Sequence, residues 1–123
     1  MLPDIANRND ILLLMRRFYL KLLADKEIEY LFTNVTHLNL EEHFPVLADF
    51  WESVLFGSGN YRNNTMQVHL DLHKKSNLTK EHFIIWLGYF MQSVDELFNG
   101  PKAHEAKARA QAIASVMEFK VLG

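Results

Sequence analysis

Apolar residues recur along almost the whole chain at three- and four-residue steps, and no stretch shows the two-residue alternation of a strand. Ile11, Leu14, Met15, Phe18 and Leu22 follow the capping candidates Asn9 and Asp10, which predicts a long first helix ending at about Ala24. A short helical turn is expected over 27–32. From Asn39 the run NLEEHFPVLADFWESVLFG opens with an N-x-x-E capping box, Asn39 with Glu42, and carries an apolar stripe of Leu47, Phe50, Trp51, Val54 and Leu55. Pro45 removes a backbone donor and disfavours helical geometry at Phe44, so this helix is expected either to begin at Pro45 or to kink there.

Gly57, Gly59, Asn60, Asn63 and Asn64 mark the loop that follows. Next comes MQVHLDLH, residues 66–73, expected to be a short helix ending near Lys74. The segment LTKEHFIIWLGYFMQSVDELF, capped by Thr79, predicts a long and almost wholly apolar helix through the middle of the molecule, stopped by Asn99-Gly100-Pro101. Pro101 suits the first position of a last helix whose Ala106, Ala110, Ile113 and Met117 face inward. The pattern is all-α, and with no repeat, low-complexity tract or compositional break it predicts one domain over residues 1–123.

Composition narrows the chemistry. Of 123 residues, 49% are hydrophobic and 12% aromatic (nine Phe, four Tyr, two Trp), more ring surface than a core of this size needs, so something large and flat is expected to occupy the surplus. A net charge of −2 gives no cationic face for phosphates, which argues against nucleic acid as a partner. The absence of cysteine removes disulfides, thiolate metal sites and thiol nucleophiles, leaving any metal to His or oxygen. The N-terminus lacks the pattern of a signal peptide and the run FIIWLGYFM is too short to cross a bilayer, so a cytoplasmic protein without membrane attachment is expected. The N-x-T triplets at Asn34, Asn63 and Asn77 then read as caps and turns rather than glycosylation acceptors.

The histidines are the main candidates for chemistry. His69 and His73 stand four apart, one helical turn, which would put both on one face as a zinc pair; the general base of an H-E-x-x-H motif is missing and no third ligand is nearby. His37, in a loop, and His82 and His104, in first turns of helices, are expected to face solvent. His69, between Val68 and Leu70, would in most proteins be a core histidine with a hydrogen-bond partner. On the long apolar helix Trp86 carries an indole N–H that needs a partner, and Tyr19 on the first helix poses the same demand.

Tyr19, His43, His69 and Trp86 thus lie on four different helices at core-facing positions among Phe18, Phe32, Leu47, Phe50 and Phe83. An unpartnered buried polar group costs about 1–3 kcal/mol, so four in one small core ask for a common explanation. Pairwise hydrogen bonding inside a bundle is the plainer one.

The residues also resemble a known family. Phe18-Tyr19, Leu31-Phe32, His43 with Phe50-Trp51, the loop from Gly57 to Tyr61, His69-Leu70-Asp71-Leu72 and His82-Phe83-x-x-Trp86-Leu87 occur in the order and spacing of the truncated haemoglobins. The chain is most similar to their group III branch, which likewise lacks glycine-pair motifs. The resemblance runs from about Ile11 to Met117 and implies a two-over-two helical sandwich, a shortened globin with a minimal first helix, enclosing haem b (iron protoporphyrin IX).

Within that resemblance His69 is implied as the proximal iron ligand and Tyr19, His43 and Trp86 as the distal set facing a bound gas. Phe32, Leu47, Phe50, Phe83 and Trp86 would line the macrocycle. The family often continues past the proximal segment through proline, where this chain has His73-Lys74-Lys75, which keeps His73 open as an alternative ligand and offers cations to the haem propionates. The implied function is reversible binding of dioxygen, NO or CO. Three candidate donors suggest slow release, and hence scavenging, sensing or redox turnover, with nitric oxide dioxygenation or peroxidase-like activity and an electron-donating reductase as partner. A monomer or weak dimer is expected. Two other readings stay open: a globin-like signalling or interaction domain without haem, and a helical bundle with a histidine zinc site.

Overall fold

The computed structural model describes residues 1–35, 39–59, 61, 73 and 77–122. Its elements are α1 (Arg8–Ala24), a π-helical turn (Leu31–Val35), α2 (Leu40–Phe56), α3 (Lys80–Leu97) and α4 (Pro101–Leu122), with no strand among the described residues. Helix α1 packs on α2 and α3 on α4, and the two pairs meet through α1 against α3 and α2 against α4. This is the expected two-over-two arrangement. Among the described residues no helix is long and apolar enough to cross a membrane.

Each helix owes its start to one side chain. Asn7, rather than Asn9 or Asp10, caps α1 by accepting the N–H of Asp10; Asp10 sits in the first turn and accepts the N–H of Ala6. Ile11, Leu14, Met15, Phe18, Tyr19 and Leu22 form the buried stripe of α1. The helical turn expected over 27–32 lies further on, as the π-helical turn, and begins after the N–H groups of Ile28 and Glu29 have closed on Asp25.

Helix α2 begins at Leu40 and runs through Pro45 instead of starting there. Asn39 caps it, accepting from the N–H groups of Glu41 and Glu42, which satisfies the first turn before the proline is reached. Pro45 is exposed, and Arg8 of α1 donates to its carbonyl at 3.2 Å while also pairing with Asp49 and Glu52. A proline inside a helix costs about 3 kcal/mol. Here the cap and the Arg8 clamp act on either side of it.

The start of α4 is held from outside. The Asp4 carboxylate accepts the N–H groups of Lys102 and Ala103 as well as that of Ile5. Burial works against its charge, but the three donors hold Asp4 below the usual carboxylate range. Gly100 makes this approach possible: it has φ 144°, and a Cβ there would come within 2.6 Å of the Asp4 carboxyl carbon.

The core joins Phe18, Leu14 and Met15 of α1, Trp51 and Leu55 of α2, Phe90 and Val94 of α3, and Ala103, Ala106 and Ala110 of α4. The alanines let α4 lie close against α3. Of the residues expected to face inward on α4, Ala106, Ala110 and Met117 are buried and Ile113 is half-buried.

Candidate haem and gas site

Helix α2 presents two stripes. Ala48, Trp51 and Leu55 are buried, whereas His43, Leu47, Phe50 and Val54, one residue round the helix, are only half-buried. Phe32, Phe44 and Trp86 are half-buried beside the same core. Phe50 and Val54 also border an apolar cleft of about 330 Å³ against Arg109, Ile113, Val116 and Met117 of α4. A helix that leaves a full apolar stripe part-covered offers a wall for another flat apolar body.

Polar groups meet at this wall. The Tyr19 hydroxyl lies 2.8 Å from His43 Nε2. Pro45, two residues on, therefore does not turn His43 away. Phe18, Phe32, His43 and Phe44 all stand edge-on to the Tyr19 ring, with centroids 5.4–5.6 Å away, which fixes its orientation. Burial drives the Tyr19 phenol well above its ordinary pKa and pulls His43 below its own. Both groups are neutral near pH 7. Either the phenol donates to Nε2, or Nε2–H donates to the phenol oxygen and leaves the tyrosine proton for a third group.

Trp86 reaches the same region through Phe18, whose ring meets the indole edge-on at 5.7 Å. Its N–H has no hydrogen-bond partner among the described residues, although every fully buried side-chain polar atom there has one. The N–H is thus an open donor on a half-buried ring. Phe83, by contrast, is buried in the core at 8% exposure, while Phe32, Leu47 and Phe50 stay part-uncovered.

His69 lies outside the described residues, as do His37 and the rest of the expected short helix over 66–74 apart from His73. His73 has a definite partner: its Nδ1 accepts the Leu78 N–H at 3.0 Å. An imidazole nitrogen that accepts an N–H has its lone pair engaged in that bond. Among the described residues no group of three or more His, Asp or Glu side chains could hold a metal ion.

His82 corrects the expectation of a solvent-facing side chain. It is 7% exposed, its Nδ1 accepts the Thr79 N–H, and its Nε2 lies 2.9 Å from the Tyr30 hydroxyl, to which it donates. With the Thr79 hydroxyl accepting the His82 N–H, the two residues form a capping box in which histidine takes the place of the usual Glu or Gln. Burial lowers the His82 pKa. His104 is exposed as expected.

The residues present suit haem. A half-covered apolar wall, neutral donors and an open indole N–H match what an apolar macrocycle with one neutral axial imidazole needs.

No family model matches the chain. It is 34% identical over 115 residues to the group 3 truncated hemoglobin ctb of Campylobacter jejuni, an alignment that spans 91% of this chain and 88% of that protein. The crystal structure of a group III truncated hemoglobin from Campylobacter jejuni superposes with a TM-score of 0.85 at 30% identity, covering 98% of this chain and 95% of that one. Fold and similarity agree, and the chain belongs to the group III truncated haemoglobins.

Proposed function

We propose that the chain binds haem b, with His69 as the iron ligand, and through it takes up a diatomic gas, dioxygen above all. The observation that carries this reading is the set of neutral donors gathered at the half-open wall: Tyr19 paired with His43, and Trp86 with an N–H that no described residue accepts. Bound haem would supply reversible coordination of the gas at iron. The protein's part is to orient and to hold.

His43 is suited to aim Tyr19. When Nε2–H donates to the phenol oxygen, the tyrosine proton turns toward the gas, and Trp86 N–H supplies a second donor from α3. Hydrogen bonds to a ligand that gathers negative charge are stronger than neutral ones. Such a pocket favours retention, which fits scavenging, sensing or redox turnover rather than bulk delivery. Phe32, Leu47, Phe50 and Trp86 would face the macrocycle. The bond that engages His73 Nδ1 with the Leu78 N–H favours His69 as the ligand, since these are the two histidines of that segment.

Absorption spectra of the ferric, ferrous and CO-bound protein test the proposal. A Soret band that shifts on reduction and again on CO is the expected result. A colourless protein that haemin cannot reconstitute overturns it and favours an interaction role for the same fold.

A further inference from the structure

Five aromatic rings stand in series across the molecule. Trp86 stacks on Phe90 with the planes 15° apart and centroids 6.0 Å apart, and Phe90 stacks on Trp51 at 18° and 5.0 Å. Phe50 meets Trp51 edge-on at 5.3 Å, and Tyr61 meets Phe50 edge-on at 5.1 Å. The series Trp86, Phe90, Trp51, Phe50, Tyr61 alternates oxidisable rings with benzene rings, every step in contact. It begins at the half-buried indole on the proposed gas side and passes through Trp51, 4% exposed. It ends at a half-buried phenol beyond the α2 terminus, whose backbone N–H is tied to Ser53 Oγ.

We propose that these rings form a route along which an oxidising equivalent leaves the haem pocket and reaches the surface at Tyr61. Indole and phenol side chains give up one electron far more readily than benzene rings. Electrons therefore hop between Trp86, Trp51 and Tyr61, and the two phenylalanines hold the spacing. The inference rests on the haem reading above for its source of oxidant.

The co-reactant is hydrogen peroxide, which takes up two electrons and two protons to give two waters. Each electron originates at Tyr61, whose O–H proton passes to water, and travels inward through Trp51 and Trp86. The Tyr61 phenoxyl is restored by hydrogen-atom transfer from a small phenolic reductant in solution. Over two such cycles one peroxide is consumed, two reductant molecules become phenoxyl radicals, and the protein is unchanged.

A second route branches at Trp86 through Phe18 to Tyr19, whose hydrogen bond to His43 gives its phenolic proton somewhere to go. It is a dead end in the core. Tyr61 is the terminus that an outside reductant can reach.

The test uses the haem-loaded protein, hydrogen peroxide and a nitroso spin trap, with adducts located by peptide mass spectrometry. The expected result is an adduct on Tyr61 in the wild type. In Trp51→Phe, which keeps a ring in the stack but removes the oxidisable indole, the Tyr61 adduct falls by an order of magnitude, and peroxide turnover supported by the phenolic reductant falls with it. In Tyr61→Phe the adduct moves back to Trp51. Equal labelling of Tyr61 in the wild type and Trp51→Phe overturns the route, and so does labelling confined to Tyr19.

A second arm separates this from the haem proposal. Azide radicals made by pulse radiolysis oxidise tryptophan directly, with no need of haem, and the indolyl absorption then decays into that of phenoxyl. A phase of that decay lost in both Tyr61→Phe and Trp51→Phe supports the route even in a protein without a Soret band. If no such phase exists, the rings are packing alone.

Discussion

The Tyr19 hydroxyl and His43 Nε2 stand 2.8 Å apart, so the two polar tips of the pocket are already paired by the protein itself. The pair is neutral because burial raises the phenol pKa and lowers that of the imidazole. On the function proposed above, two orientations of one hydrogen bond would decide whether the tyrosine proton points at histidine or at a gas.

Tyr19→Phe removes that proton and keeps the ring and its four edge-on contacts. Loss of one donor worth about 1–2 kcal/mol is expected to speed dioxygen release roughly 5- to 30-fold, read by stopped-flow mixing of the oxygenated protein with CO. An unchanged off-rate removes Tyr19 from the gas site.

His69→Ala is expected to abolish the Soret band, while His73→Ala keeps it. The second variant loses only the acceptor for the Leu78 N–H. It should lower stability by about 1 kcal/mol in urea. A reversed outcome, band lost with His73→Ala and retained with His69→Ala, would overturn the assignment of His69 and make His73 the ligand.

Burial lowers the pKa of both His43 and His82, so the unfolded chain takes up protons before the folded one as pH falls. Stability should therefore be full above the ordinary histidine pKa of about 6.5 and decline as pH drops from there toward the folded values. His82→Gln, which can keep the capping box with Thr79, removes one of the two contributions. Urea midpoints across this range should fall less steeply in the variant; an identical slope would mean that His82 does not titrate on unfolding.

Asp4→Ala leaves the first N–H groups of α4 without the carboxylate that now accepts them. A cost of about 1 kcal/mol is expected. In the wild type this contribution is present above the ordinary aspartate pKa of about 3.9 and is lost as pH falls through the lower folded value. Gly100→Ala should mimic the loss at neutral pH, because its Cβ would meet the Asp4 carboxyl group.

Much of this architecture was legible in the sequence, because three- and four-residue periodicity marks buried stripes wherever a helix is long. Helices α1, α3 and α4 follow from it, as do the Thr79 cap and the stop at Asn99-Gly100-Pro101. For α2 the sequence left two readings, a start at Pro45 or a helix from Asn39 passing through it; the support that allows the second comes from Arg8, 37 residues away in sequence, where local rules do not reach. The cap of α1 was misplaced by two to three residues because Asn7, Asn9 and Asp10 all qualify. His82 looked exposed between Glu81 and a first turn. Its spacing from Thr79, the spacing of a capping box, was the signal that could have corrected it. The pairing of Tyr19 with His43 was foreseeable from their shared need of partners, but the Trp51, Phe90 and Trp86 stack joins separate helices and leaves no local trace.

The stripe of α2 that carries His43, Leu47, Phe50 and Val54 is left part-uncovered by its own neighbours. An apolar stripe left in this state favours whatever flat body can cover it, so the gain from covering it would add to the stability of the fold.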